Sequence, residues 1–424
     1  MSTDTKILPF CNAHSHIFTV NHAPDYFLKT VIRNDFIANT VQRLLQKSGT
    51  RTAMKALLNI LKFTSPNYRN LVERYIEIIQ TGVAAQQKDI FDMEASAYTR
   101  LGSYKLVVLT QVLDFLDYDK SSTHKKIQTQ IEEVVELKRS ALYQDRLLPF
   151  LGVDPRMQGT NLVEWIEKYI SKLYGFCGIK IYPAYGFFPF DIRLDPVWAW
   201  AEKNEIPIMT HCTRGGSFYL GSFDSVLNRG GFQPQSLNPD SPAMANITHR
   251  ITQLVNDQNK SLKRNNKVWC NVFGHPEHYR PVLEKYPKLK LCLAHLGGAD
   301  EVIRSVPANL DKYKPDYPAY LGPNWYTEVI GLMTDYTNVY SDISYTLSDK
   351  KAVEIILNTF RTDPHKDLIN KLMYGTDFYL TRQEEIGNEP DLINIFLNNF
   401  NNGNEVKQLA YLNPDQFLRS RIHP

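Results

Sequence analysis

Residues 11–18 read CNAHSHIF, so His14 and His16 stand two apart at the end of the apolar run ILPF. On a β-strand that spacing turns both imidazoles to one face, which is what two ligands of one metal ion require. Three more residues of metal-binding type close apolar runs further along: His211 in IPIMTHC, His295 in LCLAHLGG and Asp377 in LMYGTDF. Imidazoles with a carboxylate suit Zn2+ and similar divalent ions, with a position left open for water. Taken singly, a histidine such as His295 is more often a hydrogen-bonded core residue, and a strand-end aspartate more often caps a helix. Their recurrence at the same place in successive units is what points to a site.

Those units are eight β-rich runs bounded by turn residues: ILPFCNAHSH, YKLVVLTQVL, RLLPFLGVDP, CGIKIYP, IPIMTHC, KLKLCLAHLGG, NVYSDIS and KLMYGTDF. Amphipathic helical text lies between them, as in LVEWIEKYISKLYGF, PVWAWAEKNE, PEHYRPVLEKYP and KKAVEIILNTF. This alternation argues for parallel strands with crossover helices, and eight repeats argue for a closed (β/α)8 TIM barrel, an α/β fold in one domain over residues 1–424. A doubly wound open sheet would carry a glycine-rich phosphate loop after its first strand, and NAHSHIF is not one. Strands three to five step by about 30 residues, whereas about 90 separate the first two and about 80 the fifth and sixth. Both excesses follow strands and therefore fall on the face where barrel active sites lie. The expectation is a helical insertion or cap at 25–100 and a loop-rich insertion at 215–265 over that face.

Composition narrows the class. The 424 residues are 43% hydrophobic and 22% charged, enough for a large core, with a net charge of +3 and no like-charge block beyond KSLKRNNK at 260–267. Neither nucleic acid nor a membrane is an implied partner; a small-molecule substrate is, and a homo-oligomer is admitted. Five scattered cysteines without a CxxC pair read as reduced thiols, and the N-terminal text lacks a secretory pattern, so the expected location is cytoplasmic.

The order of an HxH, a strand-five histidine, a strand-six histidine in AHLGG and a strand-eight aspartate in YGTDF resembles the amidohydrolase superfamily. The wording of GIKIYPAYGFFPFD, IPIMTHC and PVLEKYPKLKLCLAHLGG is similar to its amidohydrolase-related branch, which includes aminocarboxymuconate-semialdehyde decarboxylase. NPDQFL is similar to that branch's closing helix. The resemblance spans most of residues 7–380 apart from the two insertions. It implies that His14, His16, His211 and Asp377 contact one metal ion and that His295 lies close to its bound water. A divalent metal lowers the pKa of bound water toward about 7, which makes hydroxide available to attack a carbonyl. Asp377 can take that water's proton and pass it to a leaving group, while His295 polarises the carbonyl. The expected activity is that of a zinc-dependent hydrolase; a non-oxidative decarboxylase using the same site is the alternative, and an inactive metal-binding barrel is the second.

Lys180 admits two readings. The pleat of CGIKIYP puts Lys180 and Tyr182 on one face, so Lys180 points into the barrel if Ile179 and Ile181 pack against helices. In binuclear superfamily members a strand-four lysine is carbamylated and bridges two metals, with His295 then on the second ion. The mononuclear branch matches better, which leaves a charged lysine facing Asp377 or a substrate carboxylate. Arg214, Arg382 and Tyr182 are the substrate-facing candidates, the arginines as carboxylate clamps or surface ion pairs, with Tyr185 and Phe187 as further walls. Asp342 in YSDIS is placed to hold a metal-bound imidazole. In GHPEHY, His275 and His278 are spaced as a ligand pair could be, but Pro276 at a helix start favours a cap at His275 and an exposed His278.

Overall fold

Each of the eight apolar runs forms a strand, and all neighbours are parallel: β1 (Phe10–Ser15), β2 (Tyr104–Leu109), β3 (Leu147–Gly152), β4 (Gly178–Ile181), β5 (Ile208–Thr210), β6 (Leu291–Leu293), β7 (Val339–Asp342) and β8 (Leu372–Met373). The computed structural model describes residues 8–24, 86–116, 122–157, 159–221, 236–258, 266–309, 322–384 and 386–423. Strand order follows chain order, β1 through β8. Beyond the end of β8 the chain returns to β1, where the amides of Ala13, Asp377 and His16 donate to the carbonyls of Tyr374, His14 and Phe378 at 2.9, 2.9 and 2.6 Å. Those bonds bring the two ends of the sheet together as a barrel.

The two sides of the sheet carry different clusters, as period-2 alternation requires. Phe10, Leu106, Val108, Leu147, Ile179, Ile181, Ile208 and Leu291 face the helices. Cys11, Ala13, Val107, Leu109, Phe150, Met209, Cys292, Tyr340 and Met373 fill the interior with Phe417, which comes from the closing helix Asn413–Leu418. Phe417 lies 6.5 Å from the Phe150 ring and 5.1 Å from Tyr340, so aromatic side chains fill the barrel interior beside that helix. Gly178 makes room there: a Cβ at that position would fall 2.4 Å from Phe150 Cζ.

The helices begin where capping chemistry places them. Asn161 accepts from the amides of Val163 and Glu164 at the start of Leu162–Tyr169. Asp349 does the same for Lys351 and Ala352 before Lys350–Arg361. Of the expected insertion at 25–100, residues 25–85 lie outside the described residues, and the rest includes the helix Gln87–Tyr98. The segment at 215–265 includes the helix Pro242–Gln258. All five cysteines are unpaired and buried. Among the described residues no helix is long and apolar enough to cross a membrane.

Candidate metal centre

A register shift between Asn12 and Ser15 breaks the pairing of β1 with β2. Plain alternation would send Asn12, His14 and His16 to one face. The irregularity separates them: Asn12 reaches the helix layer, while His14 and His16 converge on Asp377. His14 Nε2 and His16 Nε2 lie 3.3 and 3.1 Å from Asp377 Oδ1.

The other two histidines and Asp377 come from just beyond strand ends. His211 follows β5 directly, His295 occupies a tight turn after β6, and Asp377 lies four residues past β8. His295 and Asp377 both take positive φ, 69° and 59°, a conformation uncommon for residues with a Cβ and one in which Asp, Asn and His are enriched. Such backbone persists where its surroundings determine it. Here the surroundings are Asp342 and Ser344. The His295 amide donates to Asp342 Oδ1 at 3.1 Å, and its Nδ1 lies 2.9 Å from Ser344 Oγ.

Asp342 also meets His14, its Oδ2 lying 3.0 Å from Nδ1. That contact fixes the imidazole tautomer with Nδ1 protonated and frees Nε2 as a lone-pair donor. His14 Nε2 and Asp377 Oδ1 are buried and lack a hydrogen bond. Oriented, buried nitrogen and oxygen atoms of this kind are what a divalent ion takes up, and the atoms of His14, His16 and Asp377 lie within 4.8 Å of one another. The site suits a divalent metal.

His211 stands one step away. Its Nδ1 is 3.2 Å from His295 Nε2 and its Nε2 is 3.1 Å from the Gly215 carbonyl. The structure therefore brings His14, His16 and Asp377 together directly and joins His211 to them through His295, whose ring centroid lies 4.7 Å from that of His14.

The electrostatics follow from burial against paired charge. Burial and Lys180 pull His14 down, but Asp342 and Asp377 outweigh them and hold it above the ordinary imidazole value. Burial lowers His16, and burial with the neighbouring His295 and Lys180 holds His211 well below the usual range. His295 falls to about 4 through burial, against the pull of Asp377. For Asp377 burial acts upward, yet the facing imidazoles of His14 and His16 keep the carboxyl well below its usual range and therefore ionised.

Lys180 points inward as the pleat requires, since Ile179 and Ile181 join the helix-facing cluster. It is 2% exposed, its Nζ has no hydrogen-bond partner, and burial depresses it to about 8 against Asp377 and Asp342. It lines a small pocket with Gln111, Tyr182, Tyr185 and Phe187. The Tyr182 ring stacks on Tyr185 at 3.9 Å and on His211 at 4.0 Å, which makes one aromatic wall from the cavity to the histidines.

The arginines are placed differently. Arg214 is 3% exposed; its guanidinium pairs with Glu301 at 3.1 Å, donates to the Pro323 carbonyl at 2.8 Å and lies over the Trp325 ring at 5.3 Å. Arg214→Ala is expected to lower stability by about 3 kcal/mol, because a buried carboxylate loses one of its partners. Urea unfolding checks this, and a change confined to substrate KM would restore the clamp role. Arg382 lies in the short turn Leu380–Gln383. His275 caps its helix by accepting from the Glu277 amide at 3.2 Å, as expected. His278, expected to be exposed, is fully buried among Phe188, Phe190 and His275, because the short 3-10 turn Pro276–Tyr279 is itself covered by packing.

Gln111, which lines the cavity, and Arg156, which lies behind its wall, carry no signal of chemistry in the sequence. Gln111 Nε2 is 3.3 Å from His16 Nε2, and its Oε1 accepts from the Tyr185 hydroxyl at 3.0 Å. Arg156 pairs with Asp154 at 2.6 Å and donates to the Tyr185 carbonyl at 2.6 Å, which holds the aromatic wall from behind. Their signal was position alone, past the ends of β2 and β3, since neither is a metal-binding type.

Comparison with known proteins places this geometry. The family model described as Amidohydrolase matches residues 117–419. No curated protein sequence matches the chain significantly. Among solved structures, the chain is similar to 5-carboxyvanillate decarboxylase from Novosphingobium aromaticivorans, complexed with manganese and 4-hydroxy-3-methoxy-5-nitrobenzoic acid. The identity is 13%, the coverage 97% of this chain and 96% of that one, and the TM-score 0.50. A dihydroxybenzoic acid decarboxylase from Polaromonas sp. is 13% identical over 97% of both chains with a TM-score of 0.48. 4-Oxalomesaconate hydratase from Rhodopseudomonas palustris is 13% identical over 96% of this chain and 95% of that one, with a TM-score of 0.44. At 13% identity the likeness to the 5-carboxyvanillate decarboxylase is one of fold.

Proposed function

Because the chain belongs to the amidohydrolase family of enzymes, we propose that it removes CO2, without oxidation, from a small conjugated carboxylic acid, with one divalent ion held by His14, His16, His211 and Asp377. The observation that carries this reading is Lys180. Its ammonium is buried without a hydrogen-bond partner and lines a cavity with an aromatic wall that runs to the histidine and aspartate cluster. A buried ammonium needs an anion, and a substrate carboxylate supplies one. The rings of Tyr182, Tyr185 and Phe187 suit a planar, conjugated body behind that carboxylate.

When bound, the divalent ion supplies positive charge that polarises a substrate oxygen next to the reacting carbon. Lys180 orients the carboxylate, and the apolar walls keep water from it, which disfavours the compact ground-state anion against a transition state with spread charge. Asp377, ionised in the resting site, takes the proton of a substrate hydroxyl at Oδ1 and returns it to the ring or chain carbon. The bond from that carbon to the carboxyl breaks, its electron pair becomes the new C–H bond, and CO2 leaves. His295, held neutral by burial, is a hydrogen-bond partner for the same oxygen.

Hydrolysis of a carbonyl compound is the second reading, supported by Asp377, an anionic base beside a site of open-metal type. Zinc and manganese both suit imidazole and carboxylate ligands. The test is a panel of aromatic and dienoic acids, lactones and amides run in D2O with Zn2+ or Mn2+. The expected result is CO2 release with one deuterium on the vacated carbon. Cleavage of a lactone or amide without CO2 moves the assignment to the hydrolase.

A further inference from the structure

Behind β1 lies a polar cluster that the proposed chemistry does not use. Glu94, from the helix Gln87–Tyr98, and Glu389, which opens the helix Glu389–Asn399, are both buried, at 0% and 3% exposure. Asn12 joins them to the site. Its Oδ1 accepts from the amides of His14 at 3.1 Å and Thr376 at 3.2 Å, the residue before Asp377. Its Nδ2 donates to Glu94 Oε1 at 2.9 Å and Thr376 Oγ1 at 2.8 Å, with Glu389 Oε1 at 3.4 Å. The Thr376 hydroxyl passes the chain on to Glu389 Oε1 at 2.9 Å, where the Tyr98 hydroxyl also donates.

An asparagine side chain has two N–H donors and one carbonyl with two lone pairs, and at position 12 all of them are engaged. The carbonyl grips the two backbone amides that lead into His14 and Asp377, one on β1 and the other past β8. We infer that Asn12, braced by Glu94, Thr376 and Glu389, is a positioning unit that sets the spacing of the β1 and β8 ligands and through it the affinity for the divalent ion. This rests on the metal reading of His14 and Asp377 and is independent of which reaction the site performs. Two buried carboxyls at one amide do not both ionise. Burial and the Glu389 charge hold Glu94 well above the usual carboxyl range, which makes glutamine its neutral isostere.

The test measures Zn2+ and Mn2+ affinity of the full chain by competition with a chromophoric chelator, beside the melting temperature of the metal-free protein. Asn12→Asp keeps the shape but removes both donors, and Thr376→Val removes only the relaying hydroxyl. Each is expected to weaken metal binding by about 10- to 100-fold, the usual effect of removing a partner that orients a ligand. Glu94→Ala is expected to do the same and Glu94→Gln to restore affinity to within about threefold of wild type. Should Asn12→Asp fold poorly, Thr376→Val carries the test alone. A lower melting temperature with wild-type affinity in Thr376→Val overturns the inference, because the cluster then only holds the fold. A wild-type chain that takes up neither ion overturns the metal reading itself, and the inference with it.

Discussion

Asp377→Asn is expected to reduce turnover by about 1,000-fold while the protein folds normally and its substrate KM changes little. Asp377 sits at φ 59°, a left-handed conformation that asparagine tolerates as well as aspartate and that alanine does not. Asparagine also keeps an oxygen near the histidines, so the shape of the site survives. What it lacks is the charge. The carboxylate is held ionised by the facing imidazoles of His14 and His16, and it can take a substrate proton and return it to carbon, which the non-basic amide of asparagine cannot. On the proposed mechanism turnover falls because proton transfer belongs to the transition state, whereas Lys180 still anchors the substrate's carboxylate. Steady-state kinetics with metal content measured on the same sample checks this. Turnover within tenfold of wild type at full metal occupancy would remove Asp377 from the chemistry.

Lys180→Met is expected to act in the opposite direction on stability and activity. On the proposed mechanism loss of the ammonium removes the partner of the substrate carboxylate in a buried pocket, with an expected fall of about 100-fold or more in kcat/KM. The metal-free variant is expected to be more stable than wild type near neutral pH. Burial depresses Lys180 from 10.5 to about 8. Between those values the unfolded chain holds the proton and the folded chain does not, so the lysine's contribution to stability rises with pH through this window. Below about pH 8 the folded state bears the full cost of a buried cation, of order 3 kcal/mol for a shift of this size. The difference between wild type and variant is therefore greatest below pH 8 and vanishes above pH 10.5, as denaturant titrations at several pH values will show. Metal analysis separates this role from a carbamate bridge. One ion in wild type and variant alike agrees with the anchor; two ions in wild type falling to one or none assigns Lys180 to the metals.

Arg214 shows how little position along the chain says about a side chain's partners. Three residues after His211 it reads as a substrate clamp, yet its partner is Glu301, 87 residues later. Nothing near Arg214 in the text announces that pairing, because it arises only when the chain beyond β6 packs against the loop after β5. Gln111 is the converse. It carries no metal-binding signature, but closing β1 onto β2 brings it to His16 across 95 residues.

The amino-acid sequence by itself determined the barrel, since strand and helix periods are local properties of apolar spacing. It also determined that His14, His16, His211, His295 and Asp377 fall at the same end of the strands, and that Lys180 turns inward opposite Ile179 and Ile181. Tertiary structure decided the rest. The shift in β1 register parted Asn12 from His14 and His16. Barrel closure set Asp342 against His14 across 328 residues and Thr376 against Asn12 across 364. Which nitrogen faces which carboxylate is a matter of ångströms between strands far apart in the chain, and packing of the closed barrel supplies those distances.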